Sequence, residues 1–316
     1  MIRRDVFTAE QEDFRLLIRE FVAREVVPHY GEWEHAGEAP RSFSRALVTL
    51  STVRTQLDLI WPYFLKYANA EQRQRWFPGF ASGNLLAAIA MTEPGTGSDL
   101  AGIRTRAVRA GDSYVLNGAK TFITGGHLAD LVIVVARTAD PSPSDRRSGL
   151  SLLVVEDGMP GFVKGRKLEK LGLKVQDTAE LSFTDVRVPV ANRLGEEGAA
   201  WDYLGHNLPQ ERMTIAVGSV AQARAATEVE AGQALLDRCI MALVAGELSG
   251  ADAAVCKLFT TEMQARVVDR CLQLFGGYGY ITEFPIARLY ADARVTRIYG
   301  GTSEVMKSII GKSLGL

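Results

Sequence analysis

The chain has 316 residues, 47% of them hydrophobic and 23% charged, which is enough apolar material for a large core divided among more than one domain. Its 36 basic and 37 acidic residues leave a formal net charge of -1, removing the electrostatic ground for nucleic acid or an anionic membrane as a partner. No apolar run approaches the roughly 20 residues that span a bilayer, and "MIRRDVFTAEQEDF" lacks the apolar centre and cleavage site of a secretory leader.

The segment "TAEQEDFRLLIREFVAREVVP" opens on Thr8 and Gln11 spaced as a capping box. Phe14, Leu17, Ile18 and Phe21 follow at helical intervals, with Pro28 at or just past the end. Helical spacing continues through "SRALVTLSTVRTQLDLIWPYFLKYA", and "NAEQRQRWFPGFASG" reads as a capped helix closed by Pro78 and Gly83. Residues 1–86 are therefore expected to form an all-helical domain. From 87 to 196, short apolar runs between turn signals predict a compact β domain, among them "YVLNGAKTFITGG", "DLVIVVART", "LSLLVVEDG" and "LSFTDVRVPV". Helical periodicity returns from 197 to 316, where "RMTIAVGSVAQARAATEVEAGQALLDRCIMALVAGE" and "GADAAVCKLFTTEMQARVVDRCLQLFGG" have the length and spacing of antiparallel bundle helices. The order α, β, α places the chain in the α+β class.

Cys239, Cys256 and Cys271 match no zinc or redox spacing, and His29, His35, His127 and His206 form no ligand pair. No metal is expected, and a reducing cytoplasm is the expected setting.

Three stretches carry candidate chemistry. "AMTEPGTGSD", from Ala90 to Asp99, sets two glycines and several hydroxyls where backbone N–H groups could approach a ring edge or a pyrophosphate; taken alone it reads more readily as a hairpin turn. "KTFITGG" puts Phe122 and Thr124 on one strand face, suited to a planar cofactor or to simple burial. "QLFGGYGYITEFPIARLYAD", from Gln273 to Asp292, breaks a helical run with glycines, as either a phosphate contact or a helix–helix turn does.

In this order along the chain, the three resemble the paired signatures of the acyl-CoA dehydrogenase family. "AMTEPGTGSD" is similar to the first signature, with Thr96 where a smaller residue is usual. Gln273, Gly276, Gly277, Gly279, Tyr280, Glu283, Arg288 and Asp292 meet the second. The resemblance covers nearly the whole chain. It implies an N-terminal all-α domain, a middle β-barrel-like domain and a C-terminal four-helix bundle. It also implies a non-covalent FAD, an acyl-CoA substrate, electron-transferring flavoprotein as acceptor, and a homo-oligomer, usually a tetramer. Ile89, Met91, Thr92, Gly97 and Ser98 would then meet the flavin of one subunit, together with Phe122, Ile123, Thr124, Thr302, Ser303 and Glu304. Gln273, Leu274, Phe275, Gly276 and Gly277 would meet the adenosine end of a neighbour's FAD. Ser98, Pro209, Gln210, Arg212, Gly300 and Gly301 would meet substrate.

Removing an α-proton from a thioester requires a positioned base and donors that polarise the carbonyl. Many family members place a glutamate just after the tyrosine of "RIYGGTSEVMK", where this chain has Gly300. The long-chain and isovaleryl branches carry the base elsewhere, at the position of Glu211 in "HNLPQERMTIA", read here as opening a helix after Pro209. "GLKVQDTAELSFTDVRVP", "LPQERMTIA" and "IYGGTSEVMK" all look like the long-chain branch. Gly300 N–H would then help hold the thioester oxygen. Against the family pattern the chain is short around Arg41 to Leu57. It is also short after "SVAQARAA", where an Arg-rich, Phe-Gly segment is expected.

Overall fold

A computed structural model describes residues 7–40, 54–222 and 227–316. The expected helix between Ser44 and Val53, and the junction at 223–226, lie outside the described residues. Two compact units partition the chain, one comprising Met1–Gly31, Lys170–Leu173 and Leu208–Leu316, the other Glu32–Glu169 and Lys174–Asn207.

In the first unit, helix α1 (Ala9–Glu25) starts at the capping box, with Thr8 accepting from Gln11 N–H and Gln11 returning to the Thr8 backbone; Pro28 falls beyond its end. Of its apolar stripe, Phe14 and Leu17 are exposed, whereas Ile18 and Phe21 are half-buried. Helix α2 (Tyr30–Ala36) runs into the second unit, which continues with α3 (Trp61–Tyr67), preceded by a π-helical stretch at Arg54–Ile60, and α4 (Ala70–Ala81). Asn69 and Gln72 form a second capping box for α4. Pro78 lies inside α4 and does not close it. Trp61 packs on Phe77 and Phe80, and Phe64 on Trp76 and Phe80, with ring centroids 4.7 to 5.5 Å apart; this aromatic contact carries the helix past the proline until Gly83 turns left-handed.

Eight strands follow: β1 (Ala87–Ala90), β2 (Arg106–Ala110), β3 (Ser113–Thr124), β4 (Leu131–Arg137), β5 (Leu150–Glu156), β6 (Phe162–Lys167), β7 (Thr178–Pro189) and β8 (Arg193–Leu194). They form one sheet in the order β6-β7-β3-β2-β4-β5-β8, with β1 added parallel to β4. The runs that read as strands from sequence are β3, β4, β5 and β7. The alternating side chains of β3 and β7, the wholly buried β4 and the buried run Leu150–Val155 of β5 supply the core, from Tyr114 and Leu116 to Val134, Leu153 and Phe183.

Helix α5 (Ala200–Gln222) is followed by α6 (Thr227–Ala245), α7 (Gly250–Leu274), α8 (Pro285–Arg294) and α9 (Ser303–Ser313). Ser249 caps α7 by accepting from Asp252 N–H, and Thr302 caps α9 by accepting from Val305 N–H. Met213, Ala216 and Val220 of α5 share a buried cluster with Leu236 of α6 and Cys256 and Met263 of α7. No helix among the described residues is long and apolar enough to cross a membrane.

Candidate active site

The candidate residues fall in both units, and each set has its own geometry. On the sheet, Ile89 lies in β1, one residue before its end, and the loop from Met91 to Ser98 is pinned by reciprocal backbone bonds between Glu93 and Thr96, 2.8 and 3.1 Å. Thr121 N–H donates to Thr92 O at 2.9 Å, which joins this loop to β3. Beneath the loop, Lys120 is fully buried and donates to Met91 O at 3.0 Å and to Glu93 at 2.9 Å. Glu93 also accepts from the backbone N–H of Arg104 and Thr105, both at 2.8 Å. Burial works to raise the Glu93 carboxyl, but these hydrogen bonds and the Lys120 charge hold it below the usual carboxylate range.

Phe122 and Thr124 flank the buried Ile123 on the outward side, but β3 is irregular where Phe122 enters it. The ladder with β7 slips between Lys120 and Ile123, and Phe122 takes a left-handed φ of 58°. A bulge of this kind re-aims a side chain, and the Phe122 ring is 68% exposed while Ile123 turns into the core. A Cβ added at Gly95 or Gly97 would meet nothing within 4 Å. An open glycine loop beside an outward aromatic ring fits the edge of a planar heterocycle such as a flavin.

In the helical unit, Glu211 does not open a helix. Helix α5 begins eleven residues earlier at Ala200 and contains Pro209, so Glu211 sits in its interior. The missing N–H and steric demand of proline are accommodated within a helix whose next turns, from Glu211 to Ala216, are continuously buried. Glu211 is 6% exposed. Arg212 is also buried, and among the described residues its Nε has no hydrogen-bond acceptor; burial pushes its pKa down while the Glu211 charge opposes. Ile215, one turn beyond Glu211 on the same face, directs its Cδ1 to the place a Cβ on Gly300 would occupy. The Glu211 face of α5 and the Gly300 turn are thus brought together.

That turn is left-handed at two successive residues, Gly300 at φ 62° and Gly301 at φ 93°, a conformation that glycine alone adopts without cost. It is held from α7. Lys257, fully buried, donates to Gly301 O at 2.8 Å. Glu262 accepts from Arg297 Nε at 2.9 Å and from Ser303 Oγ at 2.6 Å. Sequence reading missed Lys257 and Glu262, as it missed the Glu93–Lys120 pair. The available signal was a lysine set among small and apolar residues in "AAVCKLFTT", where a solvated position is not expected. Glu304 is exposed in the first turn of α9.

Gln273, Leu274, Phe275, Gly276 and Gly277 do not join this cluster. They lie at the far end of α7, sixteen residues past Lys257, or roughly 24 Å along the axis. Leu274, Phe275, Tyr278 and Tyr280 are exposed there, and Gly276 has open space where a Cβ would point. The signature acid Asp292 serves the backbone of another segment, its Oδ1 accepting from Leu173 N–H at 2.7 Å.

Burial pushes Lys257 down to about 8, with Glu262 opposing and Arg212 and Arg297 reinforcing. Lys120 is likewise lowered by burial to about 8, against the pull of Glu93. Below about pH 8 both folded and unfolded chains carry these charges, and the cost of burying them is felt in full. Between about pH 8 and the ordinary lysine value of 10.5 the folded chain sheds the protons first, so stability rises with pH. Urea unfolding from pH 7.5 to 9.5 should show this rise, and Lys257→Met should remove its share of the slope; an identical slope in the variant would contradict the assignment.

The profile of the acyl-CoA dehydrogenase middle domain matches residues 88–186, and that of the acyl-CoA dehydrogenase C-terminal domain matches 219–315. The mitochondrial long-chain specific acyl-CoA dehydrogenase of Sus scrofa is 39% identical, with 98% of this chain and 88% of the relative covered. That alignment runs over 378 positions against 316 residues here, so the relative carries internal segments this chain lacks. The mitochondrial isobutyryl-CoA dehydrogenase of Bos taurus is 30% identical over 96% of this chain and 89% of its own. Among solved structures, an acyl-CoA dehydrogenase from Geobacillus kaustophilus superposes with a TM-score of 0.96 at 38% identity, covering 99% of this chain and all of the other. The paired signatures, the α-β-α element order and these matches place the chain in the acyl-CoA dehydrogenase family of oxidoreductases.

Proposed function

We propose that the protein is an FAD-dependent acyl-CoA dehydrogenase that converts acyl-CoA thioesters to trans-2-enoyl-CoA, with Glu211 as the base. The observation that carries this reading is the buried Glu211 on the α5 face that meets the Gly300 turn through Ile215. Glu211 takes the α-proton, and the Gly300 N–H donates to the thioester oxygen, favouring the charge that develops there. Arg212, whose buried Nε lacks an acceptor among the described residues, orders the carboxylate beside it and offers a donor to substrate; Pro209, Gln210 and Gly301 are further substrate contacts proposed within this unit, and Ser98 is the one proposed in the β unit. FAD, when bound, would supply the acceptor for the β-hydride that leaves as the α-proton is taken. In the β unit, Ile89, Met91, Thr92, Gly97 and Ser98 with Phe122, Ile123 and Thr124 would meet its flavin end; in the helical unit, Thr302, Ser303 and Glu304 are the residues proposed for it, and electron-transferring flavoprotein is the proposed acceptor.

The domains proposed for this function are 1–86, 87–196 and 197–316. Similarity to the long-chain relatives favours long acyl chains, and the isobutyryl-CoA relative makes short branched acyl groups the second reading. A panel of acyl-CoAs offered with a dye acceptor tests both; turnover with long straight chains is expected. A purified full-length protein without flavin absorbance would overturn the reading in favour of a non-catalytic relative. Reduction under anaerobic conditions followed by rapid bleaching recovery in oxygen would make it an oxygen-reactive enzyme instead. Three free cysteines, two of them buried, fit the proposed cytoplasmic setting.

Gln273 lies roughly 24 Å along α7 from Lys257, which supports the proposed contact of Gln273 to Gly277 with a neighbouring subunit's FAD; the proposed assembly is a homotetramer. Gly276 has φ 55° and open space at its Cβ position. Gly276→Ala therefore carries only backbone strain, about 1 kcal/mol, whereas Gly276→Asp adds a negative charge against a pyrophosphate. The Asp variant should lose flavin and shift to smaller oligomers while the Ala variant keeps most of both, read by flavin absorbance and sedimentation. A fully flavinylated, monomeric Asp variant would contradict the shared site.

A further inference from the structure

We propose that Lys257 and Glu262 of α7 are positioning residues that fix the direction of the Gly300 N–H, and so tune how strongly the thioester carbonyl is polarised. This rests on the proposed role of Gly300. Two consecutive left-handed glycines form the least restrained part of any turn, because neither has a side chain to limit φ and ψ. A small rotation of either peptide would turn the N–H away from the substrate oxygen, and a donor misdirected by tens of degrees loses most of its bond.

The restraint comes from α7. Lys257 Nζ holds the carbonyl of Gly301, the residue directly after Gly300, at 2.8 Å from a wholly buried position. Five residues along the same helix, Glu262 ties Arg297 and Ser303, three residues on either side of Gly300, at 2.9 and 2.6 Å. The turn is therefore gripped at its centre and at both flanks by one rigid element. A buried ammonium is costly, and the lowered pKa of Lys257 records that cost. A purely structural core would gain from an apolar residue there.

The test uses the FAD-loaded enzyme with a bound trans-2-enoyl-CoA carrying carbon-13 at the thioester carbonyl, read by isotope-edited infrared spectroscopy. In the unsubstituted enzyme the carbonyl stretch should fall relative to the same ligand in water. In Lys257→Met that fall should be largely lost. Flavin reduction by an acyl-CoA should then slow about tenfold to a hundredfold, with the ligand's Kd changed less than about threefold. Thr260→Val is the structural control: among the described residues its buried hydroxyl bonds to the α7 backbone alone, and the carbonyl frequency should not move. Should Lys257→Met fail to fold, Glu262→Gln decides with the same readout. An unsubstituted enzyme that shifts the carbonyl and a variant that shifts it equally would overturn this inference alone. No shift in the unsubstituted enzyme would overturn the role of Gly300 and this inference with it.

Discussion

Replacing Glu211 by Gln should leave FAD and acyl-CoA bound while flavin reduction by substrate falls roughly 10^2- to 10^4-fold, the range that a positioned general base contributes. The amide is nearly isosteric and remains a hydrogen-bond partner, so the packing of the buried stretch from Glu211 to Ala216 is retained. What it cannot do is take the α-proton. The loss corresponds to about 3 to 5 kcal/mol of activation free energy. Anaerobic stopped-flow spectroscopy at saturating acyl-CoA measures it directly, separating chemistry from binding. Retention of more than about a tenth of the rate would mean that another group removes the proton. Glu262 is not that group in this geometry, since its carboxylate is already engaged with Arg297 and Ser303.

The parts of the fold legible in the sequence were those set by local rules. The capping boxes at Thr8 and Asn69 fix helix starts through side-chain bonds within four residues, and the apolar runs of β4 and β5 announce burial on both faces. The short strands β2 and β6, "RAVRA" and "FVKGRK", are interrupted by charge, and only their partners in β3 and β7 make them strands. Pro78 and Pro209 misled for the same reason, because a proline's cost is local while the packing that outweighs it is not. The family resemblance pointed to the loop at Met91 to Ser98 and to the turn at Gly300. What supports them was hidden, since Lys257 meets a carbonyl 44 residues away and Lys120 a carboxylate 27 residues away. No periodicity links such positions. The bulge that turns Phe122 outward was hidden too, because it depends on a register slip against β7.

Moving the base across the site is the sharper test of where substrate lies. A glutamate at position 300 should reach the proton that Glu211 removes, so Glu211→Gln with Gly300→Glu should recover some of the lost rate. Two obstacles stand in its way. Residue 300 has φ 62°, which costs an L-residue about 1 to 2 kcal/mol, and its new Cβ would collide with Ile215 Cδ1. The colliding atom is the end of a flexible side chain, and Ile215→Val deletes it. The double variant is therefore expected to recover little, and the triple variant with Ile215→Val distinctly more, about tenfold or better over Glu211→Gln alone. The backbone N–H survives the substitution and Lys257 still grips Gly301 O, so carbonyl polarisation persists. The new side chain occupies acyl volume, which shifts preference toward shorter or differently shaped chains. Anaerobic flavin reduction across an acyl-CoA panel reads the rate, and a crystal structure of the triple variant reads the carboxylate. A glutamate seated in the turn with no recovery at any chain length would show that the α-proton does not face Gly300, and the proposed substrate position would fall with it.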